Sequence, residues 1–482
     1  MTHGIPAADA LPRLIQGGMG VAVSGWRLAR TVSRLGQLGV VSGTALDLVL
    51  VRRLQLGDEG GHVRRALAAF PVAGVAEGLL DRYFVEGGKA ESARFRAKPM
   101  PSHRPSRELL DLLVAGNFVE CWLAKEKHDG LVGINYLDKI QVPTVPSIYG
   151  AMLAGVDVLL VGAGIPKAIP PVLDALAAGR SVETLLDVRS ASPREDPLLH
   201  FDPVEYCDGA ALEARRPLFL PIVSSHVLAV LLARKLALRV DGFVVEAPTA
   251  GGHNAPARNR GERNARGEPV YGERDRPDLA IFRELGRPFW LAGSYGTPAQ
   301  VQNAVADGAR GVQVGTAFAY CAESGLSDAL KARVLEASRR RQVSVFTDPV
   351  ASPTGFPFTV VELEGTLSEE GSYRERTRVC DLGYLRSAYV DVRGGTAWRC
   401  AAEPVEDYVR KGGAVEDTVG RKCLCNALMS NVGLGQVARG GRTENVLVTS
   451  GDDVATVARF LAPGATSYTA KCVVDRLLGD CL

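Results

Sequence analysis

The sequence lacks an excess of charge of either sign. Its 482 residues include 56 lysines and arginines against 54 aspartates and glutamates, so the net charge is only +2 at neutral pH. Proteins that bind nucleic acid or an anionic surface through charge usually carry a strongly basic region. We therefore predict no nucleic-acid partner.

Long apolar runs and a secretory leader are also missing. The most apolar stretch, residues 227–240, is interrupted by Arg234, Lys235 and Arg239, and it is too short to cross a bilayer. The N-terminus has no basic segment followed by an apolar core. Cysteines number nine, an odd count typical of reduced thiols. These features predict a cytoplasmic protein with no membrane partner.

The sequence does contain a repeated pattern of apolar run, glycine-containing turn and amphipathic helix. Apolar strands that alternate with helices are typical of a parallel sheet covered by helices. The eight runs are 14–17, 39–43, 131–135, 156–161, 218–224, 242–246, 288–293 and 311–315. They predict an α/β fold, the closed (β/α)8 barrel, although the segment 112–118 is a further strand candidate.

Two segments do not fit this repeat. Residues from about 45 to 105 contain three helical patches and read as an insertion near the N-terminus. The barrel pattern ends near residue 342. We therefore predict a barrel domain over residues 1–342 and a C-terminal extension over residues 343–482 that packs on it.

The last two predicted strands end in glycine loops. Phosphate groups in such barrels are commonly held by the loops after strands seven and eight. Here these loops place Gly293 beside Ser294 and Gly315 beside Thr316. Each loop alone is also compatible with an ordinary turn, but the pair favours a cofactor that carries phosphate.

Other strand ends carry residues suited to a flat ligand. The first ends in Gln16-Gly-Gly-Met-Gly20, with Gly18 and Met19, and the third ends at Asn135. The most informative segment is Glu246-Ala-Pro-Thr-Ala-Gly-Gly-His253, after the sixth strand. Its two glycines permit close approach of a ring system, and a histidine can exchange a proton near neutral pH. The alternative interpretation is a loop histidine on a glycine turn.

The order of these motifs resembles the nitronate monooxygenase family, formerly called 2-nitropropane dioxygenases. That family also contains FMN-dependent enoyl-ACP reductases. The resemblance rests on Glu246-Ala-Pro-Thr-Ala-Gly-Gly-His253, Leu291-Ala-Gly-Ser294 and Gly308-Ala-Arg-Gly-Val-Gln-Val-Gly-Thr-Ala-Phe318. Gln16-Gly-Gly-Met19, Gly133-Ile-Asn135 and Pro221-Ile-Val-Ser-Ser225 resemble further segments of the family, so the motifs span about residues 12–325.

The resemblance implies a barrel that binds FMN without covalent attachment. The cofactor-binding residues would be Gln16, Gly18, Met19, Asn135, Ala250, Gly251, Gly252, Gly293, Ser294, Gly315 and Thr316. His253 would be the catalytic base in oxidative denitrification of nitronates or nitroalkanes by oxygen. An NAD(P)H-dependent enoyl reductase is the alternative, and a non-catalytic barrel scaffold is a remote one.

Two further features leave alternatives open. The loop over residues 257–277 is rich in arginine, which fits either a grip on an anionic small-molecule substrate or a solvated surface. Cys380, Cys400, Cys423 and Cys425 have the ligand count of a zinc or iron–sulfur site. Because no C-x2-C pair is present, free thiols are the alternative. The oligomeric state is left open.

Overall fold

The computed structural model describes residues 7–189, 197–259, 261–437, 441 and 443–479. Its central feature is a closed barrel of eight parallel strands, as the sequence predicts. In chain order, β1 to β8 are Leu14–Gln16, Leu38–Ser42, Val132–Leu137, Val158–Gly162, Leu218–Val223, Phe243–Glu246, Phe289–Ala292 and Gly311–Val314. Each strand pairs with its neighbour in sequence, and β8 returns to β1. All eight carboxyl ends therefore lie at one face.

Apolar side chains fill the barrel and separate it from the surrounding helices. Ile15, Val40, Leu160, Leu220 and Trp290 belong to a cluster inside the barrel, and each is fully buried. A larger apolar cluster lies between the outer faces of the strands and the helices. Burial on both faces explains why the strands read as continuous apolar runs.

Helices connect and surround the strands. They are Trp26–Arg34, Leu46–Gln55, His62–Leu67, Val75–Tyr83, Arg107–Lys125, Thr144–Leu153, Ile169–Ala177, Pro203–Tyr206, His226–Val230, Leu279–Glu284, Pro298–Ala306, Thr316–Ala319, Asp328–Arg339, Glu370–Glu375, Val405–Arg410, Leu424–Ser430 and Ala470–Leu478. None of the helices that the structure describes is both long and apolar enough to cross a membrane.

The prediction of a possible further strand at residues 112–118 is wrong, since this segment lies inside the helix Arg107–Lys125. Ser106 caps this helix by accepting a hydrogen bond from Leu109 N at 3.2 Å. The helix packs against Leu46–Gln55 on one side and Thr144–Leu153 on the other. Burial on several sides gives it a continuous apolar run, which periodicity alone does not distinguish from a buried strand.

The insertion near the N-terminus is helical, as its patches predict, and it is tied to the C-terminal part of the chain. Asp47, buried in the helix Leu46–Gln55, bonds Lys98 Nζ at 2.7 Å. It also accepts a hydrogen bond from Tyr384 Oη at 2.6 Å. A buried carboxylate is stabilised when it is paired and hydrogen-bonded, so this contact joins the two non-barrel segments.

Strands outside the barrel form three small sheets. Gly252–His253 pairs with Phe358–Val361, which pairs with Val345–Asp348. Val182–Leu185 pairs with Leu198–Phe201, and Thr396–Arg399 pairs with Ser387–Val390, which joins Val188–Arg189. The first sheet places residues from beyond the barrel across the carboxyl ends of its strands. The exact domain boundary at residue 342 stays a prediction.

Candidate active site

The carboxyl ends of the barrel strands surround a pocket of about 1580 Å³, a volume that includes its open mouth. The pocket brings together His253 and nearly all of the predicted cofactor-binding residues. They are Gly18, Met19, Asn135, Ala250, Gly251, Gly252, Gly293, Ser294, Gly315 and Thr316. Residues spread over 300 positions of sequence thus meet at one site because parallel strands end at one face.

Gln16 is the predicted residue that the structure does not place in the pocket wall. Its side chain is fully buried within the barrel. The amide nitrogen donates to Ser24 Oγ at 2.9 Å, and the amide oxygen accepts from Val40 N at 3.1 Å. Gln16 therefore holds the glycine segment that follows it, and its polar groups are already used.

Three buried polar atoms at the pocket have no protein partner among the described residues. They are Asn135 Oδ1, Ser294 Oγ and Gln313 Oε1. Buried polar groups in folded proteins are nearly always hydrogen-bonded, so unpaired ones require an explanation. Because all three line the same pocket, a polar ligand bound there would satisfy them. Gln313, on β8, was not singled out from the sequence.

Backbone conformation at the strand ends also favours a bound ligand. Gly18 has no room for a side chain, since an added Cβ would lie 1.8 Å from Asn135 Oδ1. Gly293 has a φ of +94° and Ser294 a φ of +60°. A serine in the left-handed region is strained, and such strain concentrates at ligand sites. The strained loop presents the unpaired Ser294 hydroxyl to the pocket.

Residues beyond the barrel complete the pocket wall. Thr316 Oγ1 accepts a hydrogen bond from Gly451 N at 3.0 Å, and Gly252 N donates to Thr449 Oγ1 at 2.7 Å. Tyr384 and Ser450 also line the pocket. No local sequence signal marks these residues, because their proximity to the barrel comes from tertiary packing alone. Of the arginines in the loop 257–277, none that the structure describes lines this pocket.

His253 lies deep in the pocket, with its ring edge-on to Phe358 at 4.8 Å between centroids. Its Nε2 is 2.7 Å from Ser352 Oγ. Burial, and then the positive charge of Lys139, lower the pKa of His253 well below its ordinary value of 6.5. Both causes disfavour the protonated ring. His253 is therefore neutral at neutral pH and can accept a proton.

Ser352 is itself fixed by residues after the barrel. Its hydroxyl lies 2.8 Å from Thr354 Oγ1, and its carbonyl oxygen accepts a hydrogen bond from Arg421 Nη1 at 2.6 Å. Arg421 also bonds the carbonyl oxygen of Val350 at 2.8 Å. This chain of contacts positions the partner of the His253 ring. Ser352 lies 99 positions from His253, in a segment whose resemblance to the family's post-barrel strand indicated the active-site side but not this contact.

A lysine and a glutamate form a second titratable pair beside the histidine. Burial lowers the pKa of Lys139 to about 7, and the nearby Glu246 opposes this shift. Burial likewise raises the pKa of Glu246 to about 7, and Lys139 opposes it. Lys139 Nζ lies 4.0 Å from the centroid of the Phe356 ring and has no hydrogen-bond partner among the described residues. The ammonium group of Lys139 is thus buried without a hydrogen bond to any described residue, with Glu246 as its nearby carboxylate.

The structure gathers the four candidate cysteines of the C-terminal segment. Cys380, Cys400, Cys423 and Cys425 surround one small cavity of about 290 Å³. However, no group of three or more histidine, cysteine, aspartate or glutamate side chains in the described part of the chain could hold a metal ion. The eight cysteines that the structure describes form no disulfide bond, and the choice between a metal site and free thiols stays a prediction.

Comparison with known proteins gives one family match. Residues 210–351 match the family model described as nitronate monooxygenase. This segment includes β5 to β8, His253 and both glycine loops. No curated protein sequence matches the chain.

Solved structures similar to this chain are distant. FabK from Thermotoga maritima is 14% identical, with a TM-score of 0.48 and coverage of 97% of this chain and 92% of that one. A nitroalkane oxidase from Streptomyces ansochromogenes is 14% identical, with a TM-score of 0.48 and coverage of 98% and 96%. The enoyl reductase domain of MlnA from Bacillus amyloliquefaciens is 10% identical, with a TM-score of 0.48 and coverage of 97% and 92%. These values are too low to transfer a substrate to this chain.

The segment matched by the family model contributes several residues to the pocket. The matched residues contain His253 and the two loops that the motifs had indicated. The motifs predicted a likeness to the nitronate monooxygenase family, and residues 210–351 match the model of that family.

Proposed function

We propose that this chain oxidises nitronates or nitroalkanes with oxygen, with His253 as the catalytic base. The observation that carries the proposal is a neutral histidine, in contact with Ser352, in a pocket that also contains three buried polar atoms without protein partners among the described residues. A base must have a pKa suited to its task and lie within reach of the proton that it removes. The lowered pKa keeps His253 in the unprotonated form that can accept a proton, and its position in the pocket wall favours the second condition.

The residues at the strand ends fit FMN. Gly293, Ser294, Gly315 and Thr316 would hold its phosphate through backbone N–H groups and hydroxyls, while Asn135 and Gln313 would bond its polar edge. Met19 and the Ala250–Gly252 backbone would lie along the ring system. When bound, FMN supplies the electron transfer that no side chain of the pocket provides.

The protein's own groups would move the proton and hold the charge. In the tautomer whose Nε2–H donates to Ser352 Oγ, the lone pair lies on Nδ1, which would accept the proton from the carbon beside the nitro group. The anion formed by this step is stabilised by a nearby cation, and Lys139 is the buried candidate. With a nitronate as substrate, the anion is already present and the same groups bind it.

The second candidate is an FMN-dependent enoyl reductase that uses NAD(P)H. One observation favours it: the pocket adjoins a second, partly apolar cavity of about 1150 Å³ that a short nitroalkane would leave empty. In this reaction His253 would act near the carbonyl end of an unsaturated substrate. Both candidates use the same pocket, so substrate tests must separate them.

The experiment compares purified wild-type protein with the variants His253→Ala and His200→Ala. His200, which lies in a surface strand with about half of its side chain exposed, is the matched control. We expect His253→Ala to keep FMN but to lose about 100-fold or more in turnover of nitroethane, with oxygen consumption as the readout. With the nitronate form, we expect a smaller loss because the proton is already gone.

Unchanged nitroethane turnover in His253→Ala would remove the role assigned to this histidine. Wild-type protein that consumes NADH or NADPH with crotonyl thioesters, but no oxygen with nitroethane or its nitronate, would favour the second candidate. A protein that takes up no FMN would contradict both.

A further inference from the structure

A second cavity lies beside the active-site pocket and is built mainly by segments outside the residues matched by the family model. It has a volume of about 1150 Å³, including its open part. Its walls come from the loop after β3, the segment 186–189, the strands Ser387–Val390 and Thr396–Arg399, and the residues that precede them. We call this cavity the side chamber. None of the motifs in the sequence pointed to it.

The side chamber adjoins the active-site pocket directly. Ile140, Tyr384 and Leu385 line both cavities. Lys139, which lines the side chamber, is close enough to the active-site groups His253 and Glu246 to shift the pKa values of both. A ligand that occupies both cavities would therefore contact Ile140, Tyr384 and Leu385, which line both of them.

Part of the chamber wall is apolar. Leu186, Val188, Ala388 and Trp398 belong to one small cluster, with Leu186 and Ala388 buried. Ala388 and Trp398 are cross-strand partners and share a face of the hairpin. Phe356 closes the chamber near Lys139. A surface of this composition fits a flexible hydrocarbon chain.

Cations outnumber anions in the wall. Lys139, Arg189 and Arg386 line the chamber with one carboxylate, Asp187. Within the described residues, none of the three cations has a carboxylate within ion-pair distance. Arg386 donates to the carbonyl oxygens of Gly383 and Pro101 at 3.2 and 2.6 Å. These bonds orient its guanidinium without neutralising the charge.

We propose that the side chamber binds the tail of an elongated organic anion: an unbranched hydrocarbon chain with a carboxylate or phosphate group. The apolar wall takes the chain, and the cations of the wall take the charged group. This rests on the proposed function only in placing the reacting end of such a substrate beside His253. The binding itself does not depend on the reaction.

The test is equilibrium binding of non-reacting probes to the FMN-loaded protein, measured by isothermal titration. The probes are decanoate, decyl phosphate and decanol, with hexanoate and octanoate as shorter chains. We expect both anions to bind more tightly than decanol, and the tighter of the two to identify the charged group. Each added methylene should strengthen binding by about two- to fourfold, as expected for a buried chain.

Two variants alter the chamber in opposite ways. Ala388→Trp fills it, and Trp398→Ala removes an apolar wall, so both should weaken decanoate binding by about tenfold. Val392→Trp is the matched control, because Val392 is fully exposed at the turn of the same hairpin. The control should bind decanoate like the wild type. All three should keep the FMN absorbance spectrum, which shows that the barrel is intact.

Absence of decanoate binding, equal binding of decanol and decanoate, or unchanged binding in both chamber variants would overturn the proposal. Failure of nitronate turnover would not, because binding is measured without reaction. Conversely, nitronate turnover without decanoate binding would support the proposed function and contradict the proposal that the side chamber binds an organic anion.

Discussion

At the scale of single residues, the site contains three titratable groups whose pKa values are shifted from their ordinary values by burial. Burial lowers the pKa values of His253 and Lys139 and raises that of Glu246. A neutral histidine can accept a proton, while a lysine that titrates near neutrality changes the charge of the site over the working range.

Lys139 leads to a prediction about pH. Below about pH 7, Lys139 is protonated and Glu246 is neutral, so the pair carries a positive charge. Above about pH 7, Lys139 loses its proton and Glu246 ionises, so the positive charge is lost. We expect KM for a nitronate anion to rise as pH increases through this range. The neutral His253 and the Phe356 ring, which also face Lys139, do not reverse this sign.

The measurement is KM against pH for wild type and for Lys139→Met. The variant should have a high KM that no longer responds to Lys139 titration. A wild-type KM that falls as pH rises would contradict the assignment of Lys139 as the anion-binding cation.

Gly18 leads to a prediction about FMN. An alanine there would place its Cβ 1.8 Å from Asn135 Oδ1, so Asn135 must move away from its position in the pocket. We expect Gly18→Ala to weaken FMN binding by about tenfold or more, as loss of a buried hydrogen bond implies. Gly78→Ala is the matched control, because Gly78 lies in the helix Val75–Tyr83 with nothing within 4 Å of its Cβ position. Equal FMN affinity in both variants, measured by fluorescence titration, would argue against the site.

The cysteine cluster leads to a prediction about thiol reactivity. A hydrogen bond with Cys400 lowers the pKa of Cys380, whereas burial raises the pKa of Cys423 and Cys425. Since the thiolate is the reactive form, iodoacetamide should modify Cys380 before the other three. Peptide mass spectrometry after timed alkylation measures the order. Preferential modification of Cys423 would contradict it.

At the scale of elements, the segment after the barrel orients His253, the proposed base. The strand Phe358–Val361 pairs with Gly252–His253, and Ser352, between this strand and Val345–Asp348, contacts the His253 ring. Arg421 holds the carbonyl oxygens of Val350 and Ser352. This segment is therefore a positioning element for the reaction, although it is not part of the barrel.

We expect Arg421→Met to lower kcat by about tenfold while FMN affinity stays unchanged, because a misplaced base costs catalysis without altering the cofactor site. The acid limb of the pH profile should also move toward the ordinary histidine pKa as the packing around His253 loosens. Arg339→Met, on an outer helix, is the control. An unchanged pH profile and kcat would show that Arg421 does not position Ser352.

Sequence reasoning predicted those elements whose signal is local. The eight strands have their own apolar runs, and the glycine loops and His253 directly follow strands, so the barrel rules place them at one face. The segment 112–118 was ambiguous because a helix buried on several sides has no polar face. Tyr384 and Lys139 were not predicted, and the contact of Ser352 with His253 was not either, since these contacts come from packing between segments far apart in sequence.

At the scale of the whole molecule, the pocket joins the barrel to the chain that follows it. Its wall includes Gly18, Asn135 and Ser294 from the barrel together with Tyr384 and Ser450 from beyond it. The barrel thus contributes the strand ends to the pocket. The later segment contributes part of the pocket wall and contacts the His253 ring through Ser352. A ligand in this pocket contacts both parts.

The most direct test of the central claim is anaerobic mixing of the FMN-loaded protein with a nitronate, NADH or NADPH, followed by flavin absorbance near 450 nm. The ring's absorbance is lost on reduction, so the assay reports electron transfer into the bound cofactor without relying on product analysis. We predict that the nitronate bleaches the flavin rapidly in wild type, far more slowly in Lys139→Met, and with a smaller loss of rate in His253→Ala, because the nitronate has no proton left for the base to remove. Rapid bleaching by NADH or NADPH, with none by the nitronate, would contradict the proposed oxidation.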